Sequence, residues 1–293
     1  MNSHASPISI ILPAKNESGA VGQTVERIRA HFPDAEIIVV NDGSTDDTAK
    51  LAQAAGARVI THPYSMGNGA AIKTGARAAQ GDILVFMDAD GQHNPADISK
   101  LLTKLDEGYA MVVGARDHGS QASVGRGLAN GLYNRLASYM TGHKIEDLTS
   151  GFRAVRADNF REFLDLLPNG FSYPTTSTMA FFRAGYPVAY IPIHAAKRIG
   201  KSHIHLVKDG LRFLLIIFKI GTLYSPMKLF GPVALLHAVL GLGYYAFTYF
   251  DQSRISLATL FLLTSAVIIF LIGLISEQLT QLAYMQVKSQ RKS

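Results

Sequence analysis

The chain has 293 residues, a net charge of +6 and a mean hydropathy of +0.15, which is high for a purely soluble protein. It contains no cysteine, so disulfides, thiolate catalysis and cysteine-ligated zinc are excluded. Residues 1–7 are short and polar and lack the basic and apolar regions of a signal peptide. We therefore expect the N-terminal domain to stay in the cytoplasm.

The first half of the chain alternates short apolar runs with segments of helical spacing. Strands are predicted at residues 8–12, 36–40, 58–61, 83–87 and 111–114, and helices at 20–31, 46–55, 70–79, 95–107 and 126–140. Such alternation predicts an α/β domain with a mostly parallel sheet that is covered by helices on both faces. Ligands of these sheets bind at the carboxyl ends of the strands.

A pair of carboxylates, Asp88 and Asp90, follows the predicted strand 83–87. Two carboxylates at positions i and i+2 can share a divalent cation that neutralises a leaving diphosphate. Oxygen ligands without a histidine or cysteine partner favour a hard ion, Mg²⁺ or Mn²⁺. The alternative is a solvated turn, but the position directly after a buried strand favours the metal site.

The second predicted strand ends in Asn41-Asp42-Gly43-Ser44. Asp42 can accept a hydrogen bond from the N–H of a nucleobase, and Gly43 would let the base approach the backbone closely. A turn with a helix cap explains the same residues, because Ser44, Thr45 and Asp46 are all favourable N-cap residues. Both interpretations can hold together.

A glycine pair, Gly67-Asn68-Gly69, resembles part of a dinucleotide fingerprint. That fingerprint should follow the first strand, where the chain has Ala14-Lys15-Asn16-Glu17-Ser18 instead. Hydride transfer on a nicotinamide is therefore disfavoured. The segment is predicted to begin a helix that packs beside a nucleotide.

The C-terminal quarter contains two stretches, residues 229–250 and 255–276, without any Asp, Glu, Lys or Arg. Each is 22 residues long, and about 20 apolar residues are enough to cross a bilayer as a helix. Buried core helices are the alternative. Only four residues, 251–254, separate the two stretches, so a transmembrane hairpin is predicted.

Basic residues cluster before this hairpin. Residues 206–220 have amphipathic helical spacing, and Lys208, Arg212 and Lys219 share one narrow stripe, as in a helix at a membrane interface. The cluster favours phosphorylated ligands or anionic lipid over nucleic acid. The positive-inside bias places both ends of the hairpin in the cytoplasm, since basic residues flank both. They are Lys219, Lys228, Lys288, Arg291 and Lys292.

Five motifs of the chain resemble those of family 2 glycosyltransferases of GT-A fold. They are Pro13-Ala14-Lys15-Asn16-Glu17, Asn41-Asp42-Gly43-Ser44, Asp88-Ala89-Asp90-Gly91-Gln92-His93, Ser150-Gly151-Phe152-Arg153 and Arg198-Ile199-Gly200-Lys201-Ser202. The last is similar to the basic motif of the dolichol-phosphate mannose synthase branch, and the hairpin is similar to that of bacterial polyprenyl-phosphate glucosyl- and mannosyltransferases. The resemblance covers residues 8–205 of the catalytic domain.

The resemblance implies a Rossmann-like GT-A domain and an inverting transfer of glucose or mannose. The donor would be a UDP- or GDP-sugar, and the acceptor undecaprenyl or dolichyl phosphate. The implied Mg²⁺ or Mn²⁺ ligands are Asp88, Asp90 and Gln92. The implied nucleotide-sugar contacts are Pro13, Ala14, Asn16, Glu17, Asp42, Gly43, Asp88 and Ala89. The implied acceptor-phosphate contacts are Arg116, Arg126, Arg198 and Ser202, and the implied catalytic residues are Asp90, Arg116, Arg126 and Arg198.

The chain departs from the family pattern in two places. Asn41 stands where relatives have an acid, which we expect to alter contacts to the base or ribose. Residues 175–178 are Thr, Thr, Ser and Thr where many relatives have a general base. A phosphate monoester is largely dianionic at neutral pH and needs no base to act as a nucleophile. The missing acid therefore suits a phosphate acceptor.

Three predicted segments follow: a catalytic domain at 1–205, juxtamembrane helices at 206–228, and a hairpin with a short basic cytoplasmic tail at 229–293. We expect a multi-pass protein of the cytoplasmic membrane, with a possible homo-oligomer and no nucleic-acid partner. A processive polysaccharide synthase is excluded because its acceptor motif needs tryptophan, which the chain lacks. A sugar nucleotidyltransferase would need a glycine-rich basic loop after the first strand. A membrane adaptor without catalysis, or a transferase for another lipid acceptor, remains an alternative.

Overall fold

The computed structural model describes residues 6–116, 124–170, 172–194, 218, 221–222, 224–252 and 255–289. The described residues belong to two compact units, one before and one after residue 204. The first unit is an α/β domain and the second is a pair of long helices. The predicted amphipathic helix at 206–220 lies outside the described residues except at residue 218.

Seven strands form the sheet of the first unit, in the spatial order β3-β2-β1-β4-β6-β5-β7. Their bounds are β1 Ile8–Ala14, β2 Glu36–Asn41, β3 Arg58–Thr61, β4 Ile83–Phe86, β5 Met111–Arg116, β6 Arg153–Arg156 and β7 Val188–Ile193. The five predicted strands all form. Four of them bury most of their side chains, whereas β3, at the edge of the sheet, is only partly buried. In β4, for example, all four residues are buried.

The sheet is mixed, because β6 runs antiparallel to both of its neighbours, β4 and β5. The other neighbouring pairs, β1 with β2, β1 with β4, β2 with β3 and β5 with β7, are parallel. The mostly parallel sheet predicted from the sequence is therefore confirmed, with one antiparallel strand near its centre.

Helices cover the sheet and connect its strands. They are α1 Val21–His31, α2 Thr48–Ala54, α3 Asn68–Ala78, α4 Asp97–Asp106, α5 Val124–Thr141, α6 Ala157–Arg161 and α7 Tyr173–Arg183. Helix α3 begins at Asn68, inside the glycine pair, as predicted. Helices α1 and α4 bury apolar side chains such as Val25, Ile28, Leu101 and Leu105 in the main core.

The second unit is a helical hairpin made of α8 Pro226–Gln252 and α9 Leu257–Ser289. The segments Pro226–Phe250 and Leu257–Leu282 are long and apolar enough to cross a membrane. The helices approach closely where one has glycine: a Cβ on Gly241 would lie 2.8 Å from Leu263 Cδ2, and one on Gly273 2.8 Å from Phe230 Cβ. Helix α9 extends to Ser289, beyond the predicted span at residues 255–276.

Candidate active site

An open cleft of about 490 Å³ lies at the carboxyl ends of the strands of the first unit. The loops after β1, β2 and β4 contribute to it, and these three strands are neighbours in the sheet. The lining residues are Pro13, Ala14, Lys15, Glu17, Asp42, Ser65, Gly67, Asn68, Ala71, Asp88, Ala89, Asp90 and Gln92. The structure therefore brings together eight of the predicted nucleotide and metal residues: Pro13, Ala14, Glu17, Asp42, Asp88, Ala89, Asp90 and Gln92.

Two carboxylates, those of Asp88 and Asp90, line this cleft. Asp90 is only 6% exposed, and its Oδ1 accepts a hydrogen bond from Gln92 N at 3.1 Å, which fixes the turn after β4. The Asp88 side chain is 40% exposed and faces more open space. Two carboxylates and the Gln92 amide are hard oxygen donors, so this set fits Mg²⁺ or Mn²⁺.

Asp88 is surrounded by residues from distant parts of the chain. His93 Nε2 lies 3.9 Å from Asp88 Oδ2, and the histidine ring stacks on Phe152 with centroids 4.9 Å apart. A Cβ on Gly151 would lie 3.5 Å from Asp88 Oδ2, so the backbone there forms a wall beside the carboxylate. Tyr173 donates from its hydroxyl to Gly151 O at 3.0 Å and holds that wall in place.

Asp42 is almost fully buried, at 3% exposure, and is the centre of a hydrogen-bond network. Its Oδ1 accepts from His62 Nδ1 at 2.8 Å and from Met66 N at 2.7 Å. Its Oδ2 accepts from Ser65 Oγ at 2.8 Å and from Gly67 N at 2.9 Å. Burial opposes ionisation of Asp42, but these four hydrogen bonds outweigh it and lower the pKa of the carboxyl.

Three residues near Asp42, which are Asn41, Asn16 and Gly43, do not line the cleft. Asn41 does not line the cleft: its Oδ1 accepts from Ser44 N at 3.1 Å and its amide donates to Thr61 Oγ1 at 3.4 Å. The expectation that Asn41 alters contacts to the base or ribose stays a prediction. Asn16 and Gly43 also stand outside the lining, and Asn16 Oδ1 instead accepts from Thr45 N at 2.9 Å. Their nucleotide contacts stay predictions.

Arg116, at the end of β5, forms a bidentate ion pair with Asp147. The distances are 2.8 Å from Nε to Oδ2 and 3.0 Å from Nη2 to Oδ1, and Nη2 also donates to Thr149 Oγ1 at 2.6 Å. Burial opposes both charges, but the pair outweighs it, raising the pKa of Arg116 and lowering that of Asp147. The charge of Asp88 also raises the pKa of Arg116, so the guanidinium lies within electrostatic reach of the predicted metal site.

Arg153, in β6, is a fully buried cation. Its Nη1 donates to Pro174 O at 3.0 Å, Ser177 Oγ at 2.8 Å and Thr178 Oγ1 at 3.1 Å, and its Nη2 donates to Ser150 O. Burial lowers the pKa of this guanidinium. The hydroxyl-rich stretch that replaces the family's acid is therefore buried in α7 and does not line the cleft.

The remaining predicted acceptor residues are not located by the structure. Arg126 belongs to α5, but its side chain lies outside the described residues. Arg198 and Ser202 lie outside the described residues entirely. Their roles stay predictions.

Several residues that build the site could not be found from a motif. His62 and Ser65 belong to the loop between β3 and α3, which has no distinctive motif, whereas Asn68 lies within the recognised glycine pair. Asp147 and Thr149 directly precede the Ser150-Gly151-Phe152-Arg153 motif. A search for acids that could pair with Arg116 would have found Asp147.

Three sequence relatives of the chain are named as glycosyltransferases or sugar transferases. Glycosyltransferase AglJ of Haloferax volcanii is 28% identical over 243 residues, covering 80% of this chain and 79% of AglJ. Undecaprenyl-phosphate 4-deoxy-4-formamido-L-arabinose transferase of Klebsiella pneumoniae is 29% identical over 248 residues, covering 80% of this chain and 74% of the relative. Low-salt glycan biosynthesis hexosyltransferase Agl6 of Haloferax volcanii is 28% identical over 224 residues, covering 72% and 54%.

Solved structures share the fold. Glucosyl-3-phosphoglycerate synthase from Mycobacterium tuberculosis in complex with phosphoglyceric acid has a TM-score of 0.62 at 24% identity, covering 74% of this chain and 80% of that one. The same enzyme in complex with Mn²⁺, uridine-diphosphate and phosphoglyceric acid has a TM-score of 0.57 at 26% identity, covering 73% and 78%.

Family matches cover both units. Residues 225–282 match the GtrB C-terminal hairpin. Residues 9–164, which contain the cleft with Asp42, Asp88 and Asp90, match Glycosyl transferase family 2. The chain is a family 2 glycosyltransferase that carries a GtrB-type hairpin.

Proposed function

We propose that this enzyme transfers a hexose from a UDP- or GDP-sugar to a polyprenyl phosphate, with inversion at the anomeric carbon. The observation that carries the proposal is the Asp88 and Asp90 pair in the cleft of about 490 Å³, with the anchored Arg116 within electrostatic reach. The relative from Klebsiella pneumoniae is named for an undecaprenyl-phosphate acceptor, and Agl6 is named a hexosyltransferase. The hairpin suits an enzyme whose acceptor is a membrane lipid.

Asp88, Asp90 and Gln92 would hold the divalent cation. When bound, Mg²⁺ or Mn²⁺ neutralises the charge that develops on the leaving diphosphate. The solved structure of glucosyl-3-phosphoglycerate synthase, which has a similar fold and contains Mn²⁺ and uridine-diphosphate, supports this assignment. Asp90, which is buried and fixed by Gln92 N, would give a rigid ligand, while the more exposed Asp88 can adjust to the donor.

Arg116 would orient the acceptor phosphate. Asp147 and Thr149 occupy its Nε and Nη2, so the guanidinium is held in one orientation. An oxygen of the dianionic phosphate forms the new bond to the anomeric carbon, while the bond from that carbon to the donor diphosphate breaks. Because this nucleophile is already deprotonated, the absence of a carboxylate among residues 175–178 does not impair the reaction. Arg126, Arg198 and Ser202 are proposed as further phosphate contacts.

We further propose a multi-pass protein of the cytoplasmic membrane with both termini in the cytoplasm. The two apolar helices and the match to the GtrB hairpin support it. Residues 251–254 would then face the opposite side of the membrane. Reporter fusions at residue 253 and at the C-terminus test this: alkaline phosphatase should be active only at residue 253, and the reverse pattern would refute the topology.

The reaction is tested with the purified full chain in nanodiscs, undecaprenyl phosphate, Mn²⁺ and a panel of labelled UDP- and GDP-hexoses. We expect label from one donor to enter the organic phase, and EDTA to abolish the transfer. Asp90→Asn should lower the rate at least a hundredfold, because it removes a charged ligand of the cation. Asp158→Asn is the matched control, since this exposed acid pairs with Arg161 and is not part of the cleft.

Two other outcomes would overturn the proposal. Transfer to added phosphoglyceric acid, the molecule present in the solved glucosyl-3-phosphoglycerate synthase complex, but not to undecaprenyl phosphate would show a soluble acceptor instead. The second outcome is a folded protein that transfers sugar from no donor, together with an Asp90→Asn variant that supports cell growth as well as the wild type does. That outcome would favour the membrane adaptor without catalysis.

A further inference from the structure

Helix α5 presents apolar side chains to solvent along one side. Leu132 is 69% exposed and Tyr139 is 54% exposed, and Leu136 between them is half-buried. At 100° per residue these three side chains lie within about 60° of one another around the helix, and we call them the apolar face of α5. Arg135, which is also exposed, borders this face. Contiguous apolar side chains on the surface of a domain mark a place that a partner covers.

The opposite side of α5 fixes the helix to the domain. Tyr133, Ala137 and Met140 are buried there, and the Tyr133 hydroxyl lies 3.4 Å from Thr175 Oγ1 on α7. Turning the apolar face inward would expose these buried side chains instead. The domain therefore presents the apolar face outward in one fixed orientation.

Polar side chains tie α5 to the loop that holds Arg116. Asn134 Nδ2 donates to Glu146 O at 2.6 Å, and Asn134 Oδ1 accepts from Leu148 N at 3.0 Å. Between these two loop residues lies Asp147, which forms the bidentate ion pair with Arg116. A surface on which α5 rests therefore also sets the height of the Arg116 guanidinium above that surface.

The residues around the apolar face favour a lipid bilayer as its partner. Residues 124–145 include Arg126, Arg135 and Lys144 but no Asp or Glu, and the next acid, Glu146, pairs with Lys144 at 3.0 Å. Leucine enters acyl chains, tyrosine is enriched at the level of the headgroups, and arginine attracts anionic lipid. A second copy packed on the same face would bring the arginines of both copies together, which opposes self-association.

A bilayer is also available to this face, because the chain carries two helices that are long and apolar enough to cross a membrane. We propose that the apolar face of α5 docks on anionic lipid and so holds Arg116 at the level of the acceptor phosphate. Leu132, Leu136 and Tyr139 enter the boundary between headgroups and acyl chains, about 5–10 Å deep. The positioning of the acceptor rests on the proposed function, whereas the docking is measured without any reaction.

The first experiment locates residue 139 relative to the bilayer. The chain has no cysteine, so Tyr139→Cys provides a single site for an environment-sensitive nitrobenzoxadiazole label. The labelled full chain is placed in nanodiscs of phosphatidylcholine and phosphatidylglycerol that contain a lipid nitroxide, either near the headgroup or deep in the acyl chains. Leu51→Cys is the matched control, because Leu51 is an exposed apolar residue on α2, which connects β2 and β3 at the opposite edge of the sheet from β5.

We expect the shallow nitroxide to quench the label at residue 139 more strongly than the deep one, and neither to quench the label at residue 51. Quenching at residue 139 should weaken when phosphatidylcholine replaces all of the phosphatidylglycerol. Equal quenching at the two residues would overturn the docking. A disulfide-linked dimer of unlabelled Tyr139→Cys in liposomes, without quenching of the labelled protein, would also overturn it and assign the face to a second copy.

The second experiment tests whether docking positions the acceptor. The double variant Leu132→Asp with Tyr139→Asp should raise the KM for undecaprenyl phosphate about tenfold and leave the binding of UDP and GDP unchanged, because an acid on this face is repelled by anionic lipid. Leu51→Asp should change neither quantity. An unchanged KM in the double variant would overturn the positioning of Arg116. Quenching as expected, without sugar transfer by the wild type, would overturn the proposed function and not the docking.

Discussion

Replacing Gly69 by alanine tests a close backbone contact next to the cleft residues Gly67 and Asn68. Gly69, in the first turn of α3, lies against the loop 168–170, and its N donates to Gly170 O at 3.1 Å. Next to it, Ala70 N donates to Asn169 O at 2.8 Å. A Cβ on Gly69 would lie 2.0 Å from Pro168 O, far inside van der Waals contact with backbone that has no side-chain freedom to yield.

The cost of Gly69→Ala follows from these contacts. Separating the two segments breaks or weakens two hydrogen bonds of about 1 kcal/mol each. Forcing a methyl group into packed backbone adds about 1–3 kcal/mol, and the better helix propensity of alanine returns at most about 1 kcal/mol. The net loss is about 3 kcal/mol. For a domain of this size that lowers the unfolding midpoint by about 6–12 °C.

The assay is differential scanning calorimetry of the full chain in nanodiscs, comparing the first thermal transition between variants. Gly22→Ala is the matched control, because a Cβ on this α1 glycine meets only Leu51 O at 3.8 Å and Leu51 Cβ at 3.9 Å. Its midpoint should equal or exceed that of the wild type. Equal midpoints for Gly69→Ala and Gly22→Ala would refute the steric argument.

Three further variants test other parts of the domain. Asp147→Asn removes the charge that holds Arg116, so the rate of sugar transfer should fall at least tenfold while nucleotide binding is unchanged. If the rate losses of Asp147→Asn and Arg116→Met were additive in the double variant, the two residues would not act together and the prediction would be wrong. Arg153→Met leaves buried carbonyls without a donor, so the midpoint should fall by several degrees, and a change below 1 °C would count against it. Hydrogen bonds from Thr48 and Ser18 outweigh burial and hold the pKa of Asp46 at about 2, below the ordinary 3.8. Ionised Asp46 therefore stabilises the fold above pH 3.8 and less as the pH falls toward 2, so the midpoint difference from Asp46→Asn should shrink between pH 5 and pH 2.

The first five strands could be predicted because each is a short apolar run followed by polar residues. The ligand-facing acids Asp88 and Asp90 were predictable for the same reason, since the end of a buried strand fixes where the next residues lie. The hairpin followed from charge-free stretches long enough to span a bilayer. In all of these, local sequence determines the structure.

Strand β6 and the partners of Asp42 could not be predicted. Arg153–Arg156 has a charged residue at each end, and local pattern places such a segment at the surface. It is buried because α7 supplies carbonyls and hydroxyls that satisfy Arg153, a contact between distant segments. Likewise, Asp42 was expected to face a base, but the four residues that donate hydrogen bonds to it lie 20 to 25 positions away, and three of them precede the glycine pair in a stretch with no recognisable motif.

The place of β6 in the sheet also sets the order in which a nascent chain can fold. Strands β1 to β4 can pair as they leave the ribosome, because each finds a neighbour already made. Strand β5 must wait, since both of its neighbours, β6 and β7, are synthesised later. Such long-range pairing is slow and leaves a strand edge open to aggregation meanwhile. Pairing of β6 with its neighbours also brings Gly151 next to Asp88, so the surroundings of Asp88 in the cleft are completed only in this late step.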